Sequence, residues 1–201
     1  ARAKLMGVIK KDVARMDRLI TDISNASRLD AELARETREV IDIRKLLKDI
    51  VDLYATINKE GDARVSFDAS GAPLYLLANP SALGQVFRNL IDNARSFSPK
   101  DGEVRLFLES PHERYGMIRV YVDDDGPGIP EDALDKIFRR FYTKRPAGAA
   151  FGNNSGLGLA ICRQIVNSHG GRVVAENRRD GGDLDGEKVA GARFIVELPA
   201  A

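Results

Sequence analysis

The chain has 201 residues, 43% of them apolar, which suits one substantial domain with an appended element. Lysine and arginine total 31 against 30 for aspartate and glutamate, so no overall field favours nucleic acid or an anionic membrane surface. The one cysteine, Cys162, forms no internal disulfide, no apolar run reaches membrane-spanning length and no signal-peptide pattern opens the chain, so it reads as soluble and cytosolic.

Residues 1–34 read as one long helix. Ile9, Val13, Met16, Ile20 and Ile23 recur at a 4-3-4-3 spacing with charged residues between them, a bundle or coiled-coil stripe. The pattern is under way from the first residues without a capping signal, so the helix is expected to begin upstream and to bury its stripe on another helix. A linker, 35–43, contains a strand candidate at 40–43. A second amphipathic helix follows from residue 44 and is expected to stop at Gly61. Strands are expected at 63–69 and 74–78. Asn79-Pro80 is a helix start, and this helix is expected to run to residue 96 and bury Leu83, Val86, Phe87, Leu90, Ile91 and Ala94. EVRLFLES and MIRVYVDD read as strands, and Pro130 with Glu131 and Asp132 opens a short helix. TKRPAGAAFGNNSG (143–156) is a loop longer than ordinary connections, as functional loops are. A helix then runs to Gly170-Gly171 and contains Cys162, which reads as a small buried hydrophobe. Strands RVVAEN and ARFIVELP end the chain. Helices and strands without regular βαβ alternation indicate an α+β sandwich, one mixed sheet under a helical layer.

Three stretches carry chemistry. VYVDDDGPGIP ends a strand in acid and glycine. A carboxylate fixed there accepts a hydrogen bond from the exocyclic amine of adenine, where guanine offers only a carbonyl. Asp124, in the register Asp-x-Gly-x-Gly, is the candidate, although an acidic turn gives the same pattern. NNSGLGLAI places Gly156 and Gly158 at a helix start, where backbone N–H groups suit a phosphate, as they also suit a plain helix start. Asn89 and Asn93 lie one turn apart on one face with Gln85. Amide oxygens suit a Mg²⁺ ion held mainly by phosphates, and a polar helix edge accounts for them equally.

The order of these stretches is informative. An Asn-x-x-x-Asn helix, then Asp-x-Gly-x-Gly-Ile, then IFRRFYTKR, then Gly-Leu-Gly-Leu resembles the ATP-binding domain of bacterial sensor histidine kinases, across residues 44–199. RMDRLITDISNASRLDAEL is similar to the second helix of the dimerisation and phosphotransfer hairpin that precedes that domain, and DISNASRLDAELAR is similar to ChvG-type kinases. The resemblance implies the histidine-kinase and chaperone ATPase type of α/β sandwich over 44–201. It implies that Asn93 coordinates Mg²⁺, with Asn89 supporting the phosphate region, and that Asp124 takes the adenine amine in a pocket shaped by Gly126 and Gly128. Phe138 and Phe141 would anchor a lid at 142–155. Gly156, Leu157 and Gly158 would close over the phosphates, with Arg140, Lys144 and Arg145 as phosphate contacts. Many members carry Lys three residues after the second Asn. Here that position is Ser96, leaving the charge absent or supplied by Arg95, Lys100 or the lid.

Histidine kinases phosphorylate an imidazole on the first hairpin helix. The two histidines here do not fit that role: His112 lies in a short connection between strands, and His169 closes a helix in a capping or packing role. The chain is therefore expected to bind ATP without phosphorylating itself. Its expected partners are the histidine-bearing helix of the parent protein and a response regulator, in a parent that is a homodimer at the inner membrane; this chain alone is expected to be monomeric, and nucleic acid is not a partner. Two alternatives stand beside this. ATPases of the chaperone, topoisomerase and mismatch-repair group, like anti-sigma serine kinases, resemble the same domain but carry Glu where this chain has Asn89, and an amide cannot serve as general base. A module that binds ATP without catalysis is the second.

Overall fold

A computed structural model describes Met6 and residues 37–111, 116–143, 156–179 and 188–201. The helix expected over residues 1–34 lies, Met6 apart, outside these residues, as do His112 and most of the 142–155 segment. The elements are β1 (Glu39–Asp42), α1 (Ile43–Ile57), β2 (Arg64–Phe67), β3 (Tyr75–Ala78), α2 (Pro80–Phe97), β4 (Glu103–Glu109), β5 (Met117–Asp123), α3 (Gly158–Ser168), β6 (Arg172–Arg179) and β7 (Val189–Pro199). In place of the short helix expected at Pro130 there are two 3-10 turns, Glu131–Ala133 and Lys136–Phe138.

Five strands form a mixed sheet in the order β2-β4-β5-β7-β6, parallel only between β2 and β4. β1 pairs antiparallel with β3 as a separate two-stranded sheet, so the end of the expected linker is a paired strand. Alternation assigns the two faces of the large sheet. Val104, Leu106, Ile118, Val120, Val122, Phe194, Val196 and Leu198 are buried in the core that the helices cover. The opposite face carries three cross-strand rows. Arg105–Asp123–Arg193–Glu176 and Glu109–Arg119–Glu197–Arg172 alternate in charge, and the apolar row Phe107–Tyr121–Ile195–Val174 lies between them. Each charge thereby faces its opposite across the ladder, which lets this face meet water.

The helices follow their apolar stripes. Leu83, Val86, Phe87, Leu90, Ile91 and Ala94 of α2 are all buried. Asn79 caps this helix by accepting the Ala82 N–H at 2.8 Å, with Pro80 in the first turn. Asp42 caps α1 through Arg44 N–H at 3.0 Å and also takes Leu74 N–H at 3.2 Å. α1 ends at Ile57, short of the expected Gly61, because Asn58 turns to an extended backbone and the following residues are tied to α2. His169 ends α3 in the expected packing role. Its Nδ1–H donates to the Ile165 carbonyl at 2.8 Å and its Nε2 accepts the Asn79 N–H at 3.1 Å. That assignment follows from partners that can only accept and only donate, and it ties the end of α3 to the cap of α2. Cys162 is fully buried, and burial pushes its thiol up to about 12. No helix among the described residues is long and apolar enough to cross a membrane.

Candidate functional site

β5 runs into three consecutive aspartates, and the fold gives each carboxylate its own main partner. Asp123 points to the open face, where Arg193 holds it through two bonds of 2.7 Å and Arg178 Nε stands 3.2 Å away. Asp125 accepts from Arg105 at 2.5 Å and from the Glu103 N–H at 3.0 Å. Asp124 alone turns inward. It is 2% exposed, and its carboxylate takes the N–H groups of Gly126 at 2.8 Å and Ala192 at 3.0 Å. Both bonds fall on Oδ1, so Oδ2 is the oxygen available to a ligand amine. Burial pushes the Asp124 carboxyl above its ordinary range, against the two backbone bonds and the positive charge of Arg178.

The loop after Asp124 is fixed by close contacts. A Cβ on Gly126 would stand 2.8 Å from Asp124 Oδ1 and 3.0 Å from the Phe97 carbonyl, which brings the end of α2 against this loop. Gly128 has φ +78° and no room for a side chain beside Val189 and Asn177. The Asn177 amide clasps the next residue from both sides, accepting Ile129 N–H and donating to Ile129 O at 2.7 Å each. From β7, Gly191 brings its backbone so near that a Cβ there would lie 1.8 Å from the Asp124 carbonyl oxygen.

α2 supplies the amides. Asn89 is half-buried and donates through Nδ2 to the Gly158 carbonyl at 3.3 Å. Asn93, one turn on, is also half-buried and its side-chain amide makes no hydrogen bond among the described residues, which leaves its carbonyl for a ligand. α2 therefore touches the glycine loop at its end and the start of α3 at its middle. No side chain caps α3, so its first-turn N–H groups face whatever occupies that side. Leu157, just before it, is buried in the core.

The two ends of the long loop meet. Phe141 N–H donates to the Gly156 carbonyl at 2.9 Å, and a Cβ on Gly156, at φ +74°, would fall 2.9 Å from the Phe141 backbone. The two aromatics expected to anchor this end differ. Phe138 is buried, edge-on to Phe194 at 6.3 Å with the Arg163 guanidinium over its ring. Phe141 is 56% exposed at φ +64°, so it anchors through its main chain and not its ring. Arg140 is exposed, 3.4 Å from the Gln164 carbonyl oxygen; Lys144 and Arg145 lie outside the described residues.

Two expectations are corrected or completed. Arg95 does not replace the missing lysine: it is spent on Ala63 O at 3.2 Å, Asn58 at 2.7 Å, Asp62 at 2.9 Å and the Tyr54 ring. Ser96 is exposed and donates its hydroxyl to the Asn93 main-chain carbonyl at 2.8 Å, leaving the Asn93 side chain untouched. Sequence reasoning missed Asn177, Arg178, Gly191 and Ala192. Gly191 had a signal, a glycine inside a strand pattern, which marks close backbone approach.

A buried carboxylate with one oxygen unbonded, an uncommitted amide and a helix start without a side-chain cap thus lie along α2. The model of the histidine kinase-, DNA gyrase B-, and HSP90-like ATPases matches residues 78–201. The chain belongs to that family.

Among its relatives, the sensor protein ChvG of Rhizobium meliloti (strain 1021) is 45% identical over 215 residues, which cover all of this chain and 35% of that protein. The chain thus spans about a third of the curated relatives it matches. Full-length ShkA in complex with AMPPNP is 26% identical with a TM-score of 0.73, covering 99% of this chain and 39% of that one. Histidine kinase ThkA in complex with the response regulator protein TrrA is 25% identical with a TM-score of 0.71, covering 98% and 51%. Sensor-kinase relatives over the whole length make this the histidine-kinase form of the family's ATP-binding domain, with the expected α+β sandwich.

Proposed function

We propose that the chain binds Mg-ATP and passes the γ-phosphoryl to a histidine on a helical hairpin of its parent protein, for relay to a response-regulator aspartate. The observation that carries this reading is Asn89. Where the related ATPases place a glutamate that activates water, this chain has an amide already committed to the Gly158 carbonyl. Phosphoryl transfer needs positioning and charge neutralisation more than a base, because the acceptor brings the nucleophile.

In this reading Asp124 takes the adenine amine through Oδ2, and the first turn of α3, with Gly156 and Gly158, faces the phosphates. Asn93 holds Mg²⁺ through its amide oxygen. An amide oxygen suits an ion whose remaining ligands are phosphate oxygens and water. Arg140, Lys144 and Arg145, on the segment leading to Gly156, are the phosphate contacts in this reading. Residues 1–34 form the second hairpin helix, and the parent is a homodimeric inner-membrane sensor. The ThkA–TrrA complex supports a response regulator as partner.

Incubation with γ-labelled Mg-ATP and a separate hairpin carrying its histidine tests the proposal: acid-labile, base-stable label on the hairpin supports it. Tight ATP binding with no transfer supports the second reading, a nucleotide sensor, which the committed Arg95 and the serine at position 96 favour.

A further inference from the structure

Three acids in a row at the end of β5 need more than burial to be held. Arg193 serves Asp123 and Arg105 serves Asp125, each from the open face of the sheet. Arg178, on β6, is the one residue among those described whose side chain contacts all three. Its Nε stands 3.2 Å from Asp123 Oδ2, and its Nη1 donates to the Asp124 main-chain carbonyl at 2.8 Å and reaches Asp125 Oδ1 at 3.4 Å. It is also the sole side chain among the described residues that donates to any atom of Asp124.

The surroundings are shaped for this reach. Gly191 pairs with Arg178 in the ladder, and a Cβ on it would stand 1.8 Å from the Asp124 carbonyl oxygen and 3.3 Å from Arg178 Nη1. The glycine therefore leaves the space in which the guanidinium meets that carbonyl. On the other side of the same peptide backbone, Asp124 N–H donates to Ala192 O at 3.0 Å, and Ala192 N–H returns to Asp124 Oδ1 at 3.0 Å. β7 thus fixes one edge of Asp124 and Arg178 fixes the other. The register of β6 shifts between Arg178 and Arg179, immediately beyond the clamp.

We propose that Arg178 is a positioning residue for adenine: by gripping the main chain of Asp124 between its two acidic neighbours, it sets the direction in which Asp124 Oδ2 meets the exocyclic amine. This rests on the reading of Asp124 as the adenine acceptor. Arg178 does not touch the base. A guanidinium serves because it bonds two or three acceptors at fixed angles, whereas an ammonium cannot hold that geometry.

Calorimetry with ATP and with purine riboside triphosphate, which lacks the amine, tests this in the whole chain. The unmodified protein is expected to prefer ATP about tenfold, the value of one hydrogen bond to a charged group. Equal affinity for both would overturn the adenine reading, and the role of Arg178 with it. Given that preference, R178M is expected to lose about tenfold in ATP affinity and to bind the amine-free analogue almost as before. Preference retained in R178M, whether both affinities fall together or neither changes, would overturn the positioning role alone. If R178M does not fold, R178K gives the same reading: a reduced preference supports the role, and a full preference contradicts it.

Discussion

The Ala192 N–H donates to Asp124 Oδ1 at 3.0 Å from the neighbouring strand β7, so the carboxylate itself is held by backbone N–H groups, while Arg178 grips the main chain behind it. Asn at position 124 can keep that bond and the one from Gly126, but it turns an N–H₂ donor toward the adenine amine. D124N is expected to weaken ATP binding by about tenfold or more. The sign of the pH dependence follows from burial, which holds the Asp124 carboxyl above the ordinary aspartate range. An acid whose pKa is raised by the fold loses stability contribution as pH rises through that value, so D124N is not expected to destabilise the protein at neutral pH. As the proposed acceptor for the adenine amine, Asp124 serves in its ionised form. ATP affinity is therefore expected to fall on acidification at a pH above the ordinary aspartate range, and calorimetry across that range checks it.

Asn177 acts on the same loop without facing the base. Its amide makes two 2.7 Å bonds to the main chain of Ile129. Asn177→Ala is expected to cost about 1–3 kcal/mol in stability. It should also weaken ATP binding, because the turn beyond Gly128 loses its clasp. Urea melts and calorimetry on the same sample read the two effects.

The charged face of the sheet separates a structural ion pair from a superficial one. The Asp123 side chain is 3% exposed and Arg193 supplies two of its bonds, so Arg193→Met is expected to cost about 2–4 kcal/mol by leaving a buried acid short of charge. Arg172 is 67% exposed beside Glu197, and Arg172→Met is expected to cost less than about 1 kcal/mol. Equal losses in urea melts would contradict this distinction.

Asn93 differs from Asn89 in having an uncommitted amide. Asn93→Ala is expected to leave metal-free ATP binding near its original level and to remove the gain in affinity that Mg²⁺ brings. Titrations with and without Mg²⁺ give that ratio directly.

Deleting residues 1–34 is expected to leave nucleotide binding intact, since the hydrogen bonds that hold the Asp124 carboxylate, the Asn89 amide and the Ile129 turn join residues 89 and later. A folded deletion that no longer binds ATP would move the domain boundary upstream.

Much of this architecture was legible because periodicity is local. The stripe on α2, its Asn79-Pro80 start and the alternating strands around Asp124 are all written in consecutive residues. The register Asp-x-Gly-x-Gly also singled out the middle acid of three, and the pleat agrees by sending Asp123 outward and Asp124 inward. What could not be read were partnerships set by the sheet order. Arg178, Asn177 and Ala192 stand 48 to 68 residues from their partners. Arg95 shows the converse: its position in the chain suggested a phosphate contact, yet the return of the Asn58–Asp62 turn took it first. The resemblance pairs Phe141 with Phe138 as lid anchors, yet a positive φ turns the Phe141 ring to solvent.

Transfer and hydrolysis differ in the fate of the γ-phosphoryl. Under single-turnover conditions with γ-labelled Mg-ATP and a hairpin carrying the acceptor histidine, label is expected on the hairpin imidazole, with little released as inorganic phosphate. Rapid release of phosphate to water, with the hairpin unlabelled, would contradict the account.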